Sequence, residues 1–159
     1  MFTKRSQSKS SIRRRGSAIL DAALVFPILL SLTFGTIEYG YFFFVKHTLQ
    51  GAAREGCRAG IVPTGSAGTG DSTAVTVAIA QYLQGAGLNT GSTTLDAKYT
   101  LSIQSPFGTS INAGSVSTGS PLYVTIQSTW GQIGSGFRPM NLIGTSKTVS
   151  GVSVMRKEG

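Results

Sequence analysis

Asp21, Glu38, His47 and Cys57 are the side chains whose chemistry stands out from their surroundings in this sequence. His47 and Cys57 are the one histidine and the one cysteine, which leaves no spacing for a zinc-type ligand set. As a nucleophile and its base they fail on distance: ten residues apart on one helix, they are separated by about 15 Å at ~1.5 Å per residue. The glycines of GSAGTG (65–70) lack the Lys-Ser/Thr that a phosphate loop needs. What remains is a pair of acids, and both stand in a run that is otherwise apolar. Asp21 follows Arg15 by six residues and opens that run; Glu38 closes it between Ile37 and Tyr39. A carboxylate in such a place has one of three uses: to pair with a cation, to cap a helix, or to reach the headgroup layer.

The element that positions both acids is a long helix. Residues 17–45 carry no charge except Asp21 and Glu38. As a helix they extend roughly 43 Å at ~1.5 Å per residue, more than the ~30 Å of a bilayer core. Pro27 removes one backbone donor inside the run and predicts a kink there. From the end of the run onward, Phe42, Val45, Leu49, Ala52 and Gly56 keep one helical stripe. Ala52, Gly56 and Gly60 form a row of small residues, open either to another backbone or to the chain's own domain. Tyr39, Tyr41 and the neighbouring phenylalanines resemble an interfacial aromatic belt.

Charge places the ends of this helix. The net charge is +8, and Lys4, Arg5, Lys9, Arg13, Arg14 and Arg15 all precede Gly16, leaving +2 on the rest. The basicity therefore belongs to a short Ser-rich head, read as disordered, and the body lacks the basic patch that nucleic-acid binding needs. Basic residues before the span predict a cytoplasmic N-terminus and an extracytoplasmic C-terminal part. Glu38-Tyr39-Gly40-Tyr41-Phe42 offers no small-residue cleavage site of the secretory type. Cys57 follows Arg54-Glu55-Gly56, so it does not suit a lipoprotein anchor.

After a loop at 63–72 the pattern changes twice. Asp71 or Ser72 is placed to cap a helix over 73–84 with Val75, Ile79, Tyr82 and Leu83 on one face, and Gly85 is placed to end it. Then the period becomes two: Ala97, Tyr99, Leu101 and Ile103, next Leu122, Val124, Ile126 and Trp130, and finally Thr148 to Met155, where Gly151 suggests a bulge. Gly/Ser/Pro-rich loops at 105–121 and 131–146 separate these strands. The expected fold class is α+β: a long N-terminal transmembrane helix extending into a small domain with one further helix and a three-stranded antiparallel sheet.

A basic leader, a glycine, and an apolar helix with an acid at the fifth position after that glycine is the layout of a type IV pilin precursor. Ala18, Ala22, Ala23, Leu24, Val25 and Pro27, then FGTIEYG (34–40), then AAREGCRAG (52–60), resemble the TadE-like pseudopilins of the tight-adherence (Flp) pilus system, and VSVMRKE (152–158) is similar to the family's end. The resemblance is strong over roughly 13–60. It implies a basic leader at 1–16, a transmembrane pilin helix at 17–60 and an extracytoplasmic α+β domain at 61–159. It implies cleavage by a prepilin peptidase between Gly16 and Ser17, with Asp21 registering subunits against the new amine of a neighbour. It also implies a single-pass protein of the bacterial inner membrane whose partners are that peptidase, other pilin and pseudopilin subunits and the assembly platform. Glu38, Tyr39, Arg54 and Glu55 are the candidate partner or interfacial residues. Neither a metal nor another cofactor is expected, and no enzymatic activity.

Two departures narrow this. The fifth-position acid is Asp where Glu is usual. The residue six before Glu38 is Leu32 and not glycine, so Glu38-Tyr39 is not the cleaved Glu-Tyr pair of a major pilin. The first shortens the acid's reach by one methylene; the second favours a minor pilin or pseudopilin over the major subunit. Energetically, two unit charges ~4 Å apart gain about 4 kcal/mol at an effective dielectric of 20. An aspartate at mid-membrane costs about 2.5–3.5 kcal/mol, less near the interface. Asp21 is therefore tolerable alone and favourable when paired; the plainer use is that it lies among headgroups and caps the helix start. The competing function is an uncleaved signal-anchored protein whose small extracytoplasmic domain binds a ligand, and a membrane-anchored enzyme is a third.

Overall fold

The computed structural model describes residues 11–62, 72–106, 108–133 and 138–158, with the side chains of residues 11–15 left aside. Its first element, helix α1, is Ser11–Ile61 and continues through Pro27. It starts five residues before Gly16, so residues 11–15 are helical where the sequence predicted disorder. The reason is local: arginines are good helix formers, and extending an existing helix avoids the cost of nucleating one. The bend expected at Pro27 leaves α1 a single helical element.

The stripe expected on the outer half of α1 is where the core begins. Val45, Leu49, Ala52, Ala53, Cys57 and Ile61 are buried, and Gly56 and Gly60 complete that face. Helix α2, Ser72–Gly85, packs on it through Val75, Ile79, Ala80 and Leu83. Tyr82, expected on the same face, is 44% exposed and lies over Gly51. The helix ends at Gly85, as expected, and the left-handed residue that closes it is Gly87, two positions further on. Gly87 has φ +72, its amide reaches the Gln84 carbonyl at 2.9 Å, and the Leu88 amide reaches the Leu83 carbonyl at 2.8 Å. That pair of bonds closes the last turn, and the positive φ suits glycine. Asp71 lies outside the described residues. The Ser72 hydroxyl is turned to Asn112 (2.9 Å), tying the start of α2 to the 3-10 turn Ala113–Ser115.

The three strands form one antiparallel sheet in sequence order, β1 (Thr100–Gln104), β2 (Pro121–Thr129) and β3 (Thr148–Arg156). Leu122, Val124 and Ile126 of β2 face the core, as their alternation predicted. Trp130 leaves the alternation and begins the short helix α3, Trp130–Ile133. Gly151 is not a bulge: it pairs with Ile126 in an unbroken register. Its role is clearance. A Cβ there would collide with the Leu49 carbonyl and stand 2.7 Å from the Gln50 amide nitrogen, so glycine lets the backbone of α1 rest on the sheet. Beside it the Gln50 carboxamide donates to the Val152 carbonyl (2.5 Å) and accepts from the Val152 amide (3.3 Å), pairing part of the edge of β3.

Candidate functional site: an uncovered helix and a covered acid

Residues 16–37 of α1 are exposed except for half-buried Gly35. At ~1.5 Å per residue this uncovered length is about 33 Å, the thickness of a bilayer core. Ile19, Leu20, Leu24, Phe26, Ile28 and Leu32 each exceed 60% exposure, far too much apolar surface for water. The polar side chains here are handled within the helix: the Thr33 hydroxyl donates to the Leu29 carbonyl (2.8 Å) and that of Thr36 to the Leu32 carbonyl (2.9 Å). Such back-bonding satisfies a hydroxyl where no water is at hand. α1 is thus long and apolar enough to cross a membrane, and it fits a single-pass membrane protein.

Asp21 stands on this uncovered length, exposed, one turn after Ser17. The two residues share a helix face at i, i+4. Gly16 has open space where a Cβ would project and lies within the continuous helix. Pro27, Ser31, Gly35, Thr36, Tyr39 and Gly40 line an open apolar groove along the same helix, reaching as far as Phe43.

Glu38 is in a different situation. It is fully buried within its own chain. The segment after α3 returns to α1 and lays its backbone on the carboxyl group: the Met140 amide donates at 3.3 Å and the Ile143 amide at 3.1 Å. Leu142 fills the space beside Gly35, 3.4 Å from where a Cβ would sit. Trp130, also fully buried, packs its ring on Tyr41 and Phe42 with centroids 5.7 and 5.2 Å away. The sequence suggested an interfacial acid or a partner-binding one. The structure spends both carboxyl oxygens on the 138–143 segment, because two inward amides need acceptors once water is excluded. Within FGTIEYG, then, Gly35 and Glu38 serve the chain's own loop, while Tyr39 is 50% exposed and Gly40 has nothing near its Cβ position.

AAREG divides in the same way. Ala52 and Ala53 are buried, and a Cβ on Gly56 would stand 2.6 Å from Ile79. The small-residue row therefore packs on the chain's own α2. Arg54 points outward, and half-buried Glu55 makes a loose 3.8 Å pair with Arg58, of a kind worth little at an exposed site. Cys57 is buried, its thiol 3.3 Å from the Leu122 carbonyl, and burial pushes its pKa up, which suppresses thiolate chemistry. His47 is exposed elsewhere on the helix, so the two are not brought together. Among the described residues, no three His, Cys, Asp or Glu side chains are grouped to hold a metal ion.

The covered acid's loop was missed by sequence reasoning. Its signal was small: Met140, Leu142 and Ile143 are apolar residues inside an otherwise polar segment, around an Asn141 that adopts φ +50. Residues 16–58 match the family model of the TadE-like proteins. No curated protein and no solved structure matches the chain.

Proposed function

We propose that this chain, TadE-like over residues 16–58, is a pseudopilin or minor pilin, a structural component in the assembly of a Tad (Flp) type IVb pilus. A prepilin peptidase cuts between Gly16 and Ser17, with the head in the cytoplasm and the α+β domain outside. The new amine at Ser17 is then paired by Asp21 of a neighbouring subunit. One observation carries this reading. The domain covers α1 from Glu38 onward, reaches back only to Gly35 through Leu142, and leaves residues 16–34, Asp21 among them, exposed among the described residues. Lipid can cover the apolar surface. A carboxylate near the membrane boundary gains further from a fixed positive partner such as a neighbour's amine.

One observation favours the uncleaved anchor: α1 runs without a break from Ser11 across the Gly16–Ser17 bond. A peptidase has to open that turn, and glycine makes the opening easier, since it costs a helix about 1 kcal/mol relative to alanine. The mature N-terminus, read from cells with and without the peptidase, separates the two. The pilin reading expects Ser17 first with the peptidase and loss of cleavage in Gly16→Leu. Retention of Met1 in peptidase-positive cells would contradict it.

A further inference from the structure

Resting on the reading of residues 16–37 as a membrane span, we infer that the loop tip at 139–142 is seated in the lipid boundary and that the bilayer surface is its ligand. Depth is the first ground. The loop meets α1 at Gly35 and Glu38, where the uncovered, bilayer-length part of the helix ends. The tip is fixed at that depth by the two amides held on Glu38. It cannot rise into water without abandoning a buried carboxyl group.

The side chains at the tip are the second ground. Ile143 turns inward and is 9% exposed, whereas Met140 and Leu142 turn outward at 38% and 51%. With Ile37 and Tyr39 on the adjoining turn of α1, at 39% and 50%, they make an apolar patch that borders the span. A loop held by its backbone and presenting its apolar side chains outward suits the boundary between headgroups and acyl chains. Charge is the third ground. Over residues 138–147 there is no acid, and exposed Lys147 is positive, while the half-buried Arg138 guanidinium donates to the Gly131 carbonyl at 3.2 Å; an acid-free segment with an exposed lysine suits a surface of phosphate headgroups.

The test uses the full-length chain carrying Leu142→Cys or Met140→Cys, labelled with an environment-sensitive fluorophore and reconstituted at low density in phosphatidylcholine vesicles. Buried Cys57 should stay unlabelled, which the parent chain checks. Ile28→Cys marks the span, and Ser150→Cys marks the exposed face of the sheet. Nitroxide lipids labelled at a shallow or a deep position serve as quenchers. The inference expects the labels at 140 and 142 to be quenched several-fold more by the shallow nitroxide than by the deep one, the label at 28 to show the reverse, and the label at 150 to be affected by neither. If 140 and 142 behave like 150 while 28 is quenched, the loop stands in water and the inference is overturned, with the span intact. If 28 is unquenched as well, the span itself is wrong and the inference falls with it.

Discussion

The two halves of α1 solve the same problem in opposite ways. Each carries one acid in an apolar setting and a row of small residues. In the outer half the chain supplies its own answers: Glu38 is met by the amides of Met140 and Ile143, and Gly56 by Ile79. In the inner half the described residues supply nothing to Asp21, Gly16 stands open, and the groove that starts at Pro27 meets the domain only at Gly35, beside Leu142. An acid whose partner lies in its own chain is there for folding. One left uncovered on a membrane-length surface is available to another molecule. The family match, over 16–58, takes in both halves, so the match alone does not tell these two uses apart; burial does.

The comparison breaks if substitutions in the outer half leave the domain's stability untouched. The largest effect is expected at Gly151, where the helix backbone rests on the sheet. Gly151→Val puts carbon atoms into the Leu49 carbonyl, which cannot move aside as a flexible side chain would. Denaturant unfolding in detergent should show a loss of about 3 kcal/mol, at the upper end of overpacking costs. Glu38→Ala ranks next. Two amides lose their acceptor, one of them buried, for a loss of about 2 kcal/mol. Hydrogen exchange should accelerate at Met140 and Ile143 first. Glu38→Gln keeps one acceptor oxygen and should fall between the wild type and alanine. Unchanged exchange at both amides in Glu38→Ala would mean that the carboxyl group does not hold the loop. Gln50→Ala is the mildest, removing a half-exposed edge pairing worth about 1 kcal/mol. Its exchange signature should be confined to the edge of β3 around Val152.

Local patterns foretold much of this architecture. The period-two runs at Leu101–Ile103 and Leu122–Ile126 became paired strands, and the stripe from Val45 to Gly56 became the core face of α1. Contacts between parts of the chain distant in sequence were not legible. Nothing near Glu38 announces that a segment about a hundred residues later will donate to it. A glycine in a strand reads equally as a bulge or as a close approach, and only the position of α1 over Gly151 decides. The end of α2 at Gly85 was legible, but which glycine turns left-handed to close it was not: Gly85 and Gly87 both qualify, and Gly87 is the one that adopts positive φ. In the candidate site Asp21 was visible as an anomaly of charge, since a membrane-length run makes an acid conspicuous. The burial of Glu38 was invisible for the complementary reason, because its partners are backbone amides, which leave no mark in a sequence.

The use of Asp21 is the central claim, and pilus formation in Asp21→Ala and Asp21→Glu tests it most directly, with processing confirmed by the mass of the mature chain. Among the described residues Asp21 touches no part of the folded domain, so Asp21→Ala should leave insertion, cleavage and domain stability unchanged while assembly fails for want of the charge that pairs with the Ser17 amine. Asp21→Glu keeps the charge and should assemble. Normal piliation by a correctly processed Asp21→Ala protein would contradict the account and reduce Asp21 to a residue of the headgroup boundary.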